Sequence, residues 1–124
     1  MRGMNKCLWM YNLHSEKGKK IKILCLKQKI RIREIEPLQY GIPLGELAGK
    51  GSGAEKDENV SDFFTDEMLV FQGFEPGELR EFLNGFSRDG IGRVDLKAVL
   101  TPDNWTWTSC ELHDALKQEH EALH

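Results

Sequence analysis

Between Met68 and Leu123 the chain runs twice through one order: an apolar strand, a turn, a helix start with matched chemistry, and an amphipathic helix. At Phe74-Glu75-Pro76-Gly77-Glu78-Leu79, Glu75 takes the cap position and Pro76 the first helical position, where its missing N–H costs nothing. Glu78 can reach back to the cap amide, and Phe74 can pack on Leu79 as a hydrophobic staple. The helix then buries Leu79, Phe82, Leu83 and Phe86, one face at helical spacing. Gly90 suits a left-handed cap with Ile91 folding back. Val94–Leu100 alternates as a strand, and Thr101-Pro102 breaks it. Thr108 and Glu111 form a second capping box, with Trp107 placed to staple Leu112 and an apolar stripe of Leu112, Leu116 and Leu123 beyond. Strands alternating with helices specify an α/β fold.

The first half follows the same order more loosely. Cys7–Leu13 is a near-continuous apolar run, as expected of a strand covered on both faces. Ile21, Leu24, Cys25 and Gln28 share one face of a helix between Ser15 and Lys29. Ile30–Ile35 alternates as a half-exposed strand. Pro37 and Pro43 flank a loop, and Leu44–Leu47 forms a helical turn closed by Gly49. Leu8–Tyr11 parallels Leu69–Phe71, the helix positions starting at Ile21 parallel those starting at Leu79, and Glu36-Pro37 parallels Thr101-Pro102. The expectation is an internal duplication: two βαβα halves on a small, four-stranded, largely parallel sheet, with helices on both faces. The alternative is a ferredoxin-like βαββαβ sheet with an extra C-terminal helix, covered on one face. Residues 1–124 read as one domain, with a first half over 1–47, a Gly-, Ser- and charge-rich connector over 48–66, and a second half over 67–124.

Charge divides along the same line. Residues 1–50 carry a balance of +7 and residues 51–124 a balance of −10, giving the net −3. Either the halves attract one another or molecules pair head to tail. Cys7, Cys25 and Cys110 form no CxxC pair, and their odd number argues against a disulfide framework. Cys7 and Cys25 fall on apolar faces, as inert buried thiols do. Cys110 lies in the first turn of the last helix, where a helix dipole could lower a thiol pKa. No apolar run approaches the length of a membrane span, and the basic, apolar start is too short for a secretory signal. A cytoplasmic location follows as an expectation, with Met4 as an alternative start.

Each candidate site has a plainer explanation beside it. Eight cations between Lys17 and Arg33 could track nucleic acid, but no RNA-binding aromatic motif accompanies them. A solvated helix face balanced by the acidic half is preferred. His113, His120 and His124 share a side of the last helix, yet the first two lie roughly 10 Å apart along its axis, too far for one ion. No metal site and no cofactor are expected. His14-Ser15-Glu16 has the residue types of a hydrolase triad without its geometry. Gly49–Gly53 lacks the flanking elements of a phosphate loop. No catalytic residues are assigned. If the sheet is parallel, Asn12, Gln72, Gly73, Thr101 and Asn104 collect at its carboxyl edge, where open α/β sheets bind ligands. Trp105 is the aromatic expected to stay exposed beside them, because Trp107 is taken by the staple. The plainer account is turn chemistry.

The stretch from Gly73-Phe74 through Glu78-Leu79, Lys97 to Thr101, Asn104, Trp107-Thr108 and Glu119-His120 resembles a small bacterial family named domain of unknown function 3783. Trp105 departs from its pattern, in which a polar residue is usual. The resemblance implies a cytoplasmic bacterial setting and carries no catalytic residues. The expected function is a non-enzymatic regulatory or protein-interaction module, self-associating or binding another protein. The alternative is a small-ligand or anion-binding domain, or a minor enzyme, using the carboxyl edge.

Overall fold

The computed structural model describes residues 6–50 and 63–123. Four strands, β1 (Cys7–Tyr11), β2 (Arg31–Glu34), β3 (Met68–Gln72) and β4 (Leu96–Val99), alternate with four helices, α1 (Glu16–Lys27), α2 (Leu44–Lys50), α3 (Pro76–Arg88) and α4 (Ser109–Leu123). A short 3-10 helix spans Pro37–Gln39. The strand order is β2-β1-β3-β4. β1 pairs with β2, and β3 with β4, in parallel. The two inner strands meet antiparallel, with Trp9 opposite Val70.

The sheet is therefore mixed α/β, mostly parallel, and covered on both faces. Leu8, Met10, Leu69 and Phe71 point to one side, where Ile21, Leu24 and Cys25 of α1 meet Phe82 and Phe86 of α3. Cys7, Trp9, Tyr11, Met68 and Val70 point to the other, against Leu44 and Leu47 of α2 and Leu112 of α4. The strictly alternating assignment to opposite faces follows from strand geometry. Every residue of β1 is buried, so the continuous apolar run of that strand is explained. Two-sided cover excludes the one-sided ferredoxin-like alternative. No helix among the described residues is long and apolar enough to cross a membrane.

The halves correspond by constant shifts. A shift of 61 carries Asn12 onto Gly73 and Lys29 onto Gly90, and all four have left-handed backbone. The same shift carries buried Ile21 and Cys25 onto buried Phe82 and Phe86. It also carries the Ile30 N–H to Cys25 carbonyl bond (2.9 Å) onto the Ile91 N–H to Phe86 carbonyl bond (2.8 Å). From β2 onward the shift is 65: Arg31 falls on Leu96, and Leu47 on Leu112. The helix correspondence expected from sequence is thus out by about one turn, because Leu79 and Leu83 are only half-buried. Pro43 and Thr108, themselves 65 apart, face each other in an isolated antiparallel bridge. That is where a two-fold axis relating the halves would pass.

The capping bonds expected at both second-half helix starts form. The Glu75 amide donates to Glu78 Oε1 (2.9 Å). The Thr108 amide donates to Glu111 Oε1 (2.8 Å), and the Glu111 amide returns to Thr108 Oγ1 (3.2 Å). Leu123, expected in the apolar stripe, is 81% exposed. Cys7 and Cys25 are buried free thiols, and burial pushes Cys25 up to about 12.

Lys29, unlike Gly90, carries a side chain into left-handed backbone at a φ of 59°. Lys29→Gly is expected to raise stability by about 1 kcal/mol, since the strain outweighs the added freedom of the unfolded chain. A urea denaturation midpoint checks this; a lower midpoint would show that the lysine is not strained.

Candidate functional site

The antiparallel centre separates the residues expected to share one edge. Asn12 follows β1 and lies at the end of the sheet where β3 begins, since Tyr11 pairs with Met68. Gln72 and Gly73 close β3 at the opposite end, beside Cys7. Thr101 and Asn104 follow β4, which runs parallel to β3, so they share that second end. The one-edge grouping is corrected accordingly: it requires β1 and β3 to be parallel.

Most of these polar groups are occupied by their own chain. The Asn12 amide nitrogen donates to the carbonyls of Phe64 and Asp66, both at 3.0 Å, and its Oδ1 accepts from the Tyr40 hydroxyl. Gln72 Oε1 accepts from the Trp9 indole at 2.9 Å. Asn104 is buried; its Oδ1 accepts from the Thr101 amide and its Nδ2 donates to the Val99 carbonyl. Gln39 makes the matching bond to the Glu36 amide, 65 residues earlier. These are turn-closing devices.

Trp105 remains. It is 45% exposed, and Trp107 is 37% exposed, so both rings reach the surface rather than Trp105 alone. Their turn is rigidly held. Asn104 closes it from within, and the carbonyls of Trp107 and Trp105 accept the first two amides of α2, Leu44 and Gly45, each at 2.8 Å. The indole lies flat against Gly45: an added Cβ there would stand 2.1 Å from Trp105 Nε1. Beside it is a shallow hollow of about 340 Å3 lined by Pro43, Gly45, Glu46, Trp105 and Thr106.

At the other end of the sheet, a charged cleft of about 210 Å3 lies between the start of α1 and the end of α4. Lys17 bridges Glu67 (2.7 Å) and donates to the Arg93 carbonyl. Asp66 accepts from Lys117 (3.0 Å) and His113 Nε2 (2.9 Å). His113 is 6% exposed and stacks on Phe64, which in turn stacks on Tyr40. Sequence reasoning missed this cluster, because Asp66 and His113 are 47 positions apart. Among the described residues no group of His, Cys, Asp and Glu could hold a metal ion. The His124 and Gly49–Gly53 readings fall wholly or partly outside the described residues, as do Met4 and most of the expected connector. The connector's two ends are placed: Ala48 belongs to α2, and Phe64 is buried.

Within the basic run Lys17 pairs with Glu67 and Lys27 with Asp89, and Lys6, outside it, pairs with Glu78, each a contact between halves. Hydrogen bonds from His113 and Lys117 hold the Asp66 carboxyl below its ordinary value. A depressed folded-state pKa contributes stability above the unfolded value, lost as pH falls through the folded one. The gap in stability between the wild type and Asp66→Asn is therefore expected to be largest near neutrality and to close in acid. Screening limits it to about 1 kcal/mol. A gap unchanged from neutrality to acid would show that Asp66 acts through its shape alone.

Residues 67–123 match the sequence model of a family described as domain of unknown function (DUF3783), so the second half resembles that family. No curated protein and no solved structure matches the chain.

Proposed function

We propose that this chain, whose second half resembles a family of unknown function, is a non-enzymatic protein-interaction module that self-associates through the Trp105–Trp107 turn. The observation that carries the reading is two exposed indoles on a turn fixed by Asn104 and by two amides of α2. Exposed tryptophans on a preorganised frame are the usual anchors of binding energy, because little entropy is lost when they are covered. A cytoplasmic bacterial setting, which the resemblance implies, is part of the proposal. So is the origin of the two halves by duplication, supported by the constant shifts and the repeated Gln39 and Asn104 devices.

Three ion pairs between the halves take up part of their opposite charge inside one molecule, so the reading rests on the indoles rather than on charge. Sedimentation velocity at low and high salt tests the reading. The dimer is expected to persist at high salt, and the Trp105→Ala/Trp107→Ala variant to sediment as a folded monomer. A wild-type chain that stays monomeric at every concentration sinks the self-association. A dimer dissolved by salt alone assigns it to charge instead.

A second reading, small-ligand binding, moves from the sheet edge to the charged cleft, where Lys17, Arg93 and Lys117 face Asp66, Glu67 and Asp95. A lining of both signs suits a zwitterion. Amino acids screened by thermal shift are expected to raise the midpoint by several degrees near 100 times their dissociation constant. A flat panel removes this reading.

A further inference from the structure

The outer face of α1 carries aliphatic side chains where a solvated helix carries polar ones. Gly18, Ile21, Leu24 and Cys25 take the buried side of this helix. At 3.6 residues per turn, Lys19, Ile23 and Leu26 then fall on the opposite ridge. Ile23 is 53% exposed and Leu26 is 78% exposed. β2 lies alongside, since Lys22 of α1 bridges Glu34 of β2 at 3.2 Å. Ile32 of that strand is also exposed, and it points to the side of the sheet that α1 covers, as its partner Leu8 does. Three aliphatic side chains are thus left open on one flank of the molecule.

Cations frame this ridge. Lys22 stands on its β2 side, and Lys27, reaching Asp89 at 4.0 Å, on its α3 side. Lys19 stands on the ridge itself and meets Glu16 at 3.3 Å. The charge also divides by layer. α1 holds five lysines against one glutamate, and α3 in the same layer holds two arginines against two glutamates. In the opposite layer α4 holds four carboxylates against one lysine. The molecule therefore has a positive side and a negative side, and an anionic surface would turn the α1 side toward itself.

We propose that α1 docks the protein on an anionic lipid surface, with Ile23 and Leu26 entering the boundary between headgroups and acyl chains and the lysines around them meeting lipid phosphates. Basic residues flanking exposed aliphatic ones are the composition of helices that lie on membranes rather than span them. Lysine stems can lie along the apolar boundary while the ammonium groups stay at headgroup level. The shape of the patch favours lipid over other anionic partners. A protein would have to supply a pocket matched to two side chains on a convex ridge, whereas acyl chains close around them without one. Single-stranded nucleic acid gains from aromatic rings on which bases stack, and this ridge carries none. The Trp105 turn is held against α2, in the opposite layer, so docking through α1 leaves the indoles free.

The inference goes beyond the interaction reading and stands apart from it. Co-sedimentation of the full-length protein with vesicles tests it. Binding is expected to vesicles of equimolar phosphatidylcholine and phosphatidylglycerol, and not to phosphatidylcholine alone. Lys19→Gln/Lys27→Gln should weaken binding on the order of tenfold, since each lysine near an anionic surface contributes a factor of a few. Ile23→Ser/Leu26→Ser should weaken it at least about tenfold, because the aliphatic burial is lost. All four side chains are exposed, so both variants should stay folded, which circular dichroism checks. No binding to either vesicle, or equal binding to both, overturns the proposal. Binding lost with the lysines but kept in Ile23→Ser/Leu26→Ser overturns the insertion of the aliphatic pair. Binding kept in Ile23→Ser/Leu26→Ser but lost in Trp105→Ala moves the contact to the indole turn and overturns α1 as the docking face. An oligonucleotide bound where vesicles are not gives the cations to nucleic acid instead.

Discussion

Trp9→Ala is expected to lower stability by about 3–5 kcal/mol, the range for emptying a large aromatic side chain from a core. Trp9 is fully buried on the inner strand β1, in the layer that joins the sheet to α2 and α4. Its indole N–H is donated to Gln72 Oε1, and the Arg33 guanidinium lies over its ring at 5.2 Å. Truncation would leave a cavity, a carbonyl without its donor and a cation without its face. For a domain of typical total stability, about 5–15 kcal/mol, that is a large fraction. Urea denaturation is expected to show an earlier midpoint with an unchanged slope. A loss below about 1 kcal/mol, the size of an ordinary surface change, would contradict the packing of this layer.

Asn104→Ala carries the second large effect. The side chain closes the turn after β4 by satisfying the Thr101 amide and the Val99 carbonyl. Each buried backbone group left unpaired costs about 1–3 kcal/mol, so the substitution should cost on the order of 2–4 kcal/mol. The loss should also loosen Trp105 and Trp107, because the Asn104 side chain ties the turn that carries them to Thr101 and Val99. Gln39→Ala removes the matching bond to Glu36 in the first half and is expected to cost less, since one backbone group rather than two loses its side-chain partner. A ligand-binding asparagine would behave differently, leaving stability nearly unchanged while abolishing binding. Denaturation of the two variants decides between the roles.

The elements were legible because their causes are local. Pro76 and Glu78, or Thr108 and Glu111, announce a helix start within four residues, and the bonds they imply are present. Two-sided cover was legible in the unbroken apolar run of β1. The antiparallel meeting of β1 and β3 was not, because each strand's pattern reads the same in either direction. That single relation decides whether Asn12 can join Gln72 and Thr101, so the expected edge site dissolved with it. Trp105 was expected to be exposed because a staple would take Trp107; Trp105 is exposed, but so is Trp107, so the reason given for it did not hold. The Tyr40–Phe64–His113 stack could not be found this way, since its members come from three separated segments.

The position of β1 at the centre of the sheet has a consequence for biosynthesis. β1 can acquire β2 from residues that follow closely, but its inner edge is completed only by β3, whose first residue lies 61 positions after Cys7. At about 5–20 residues per second on the ribosome, that edge waits several seconds for its partner. During this interval a fully apolar strand presents unpaired backbone groups to its surroundings. The nascent first half is thus the stage of this protein's life most in need of chaperone cover, and slowing translation after residue 50 should lower the yield of soluble chain.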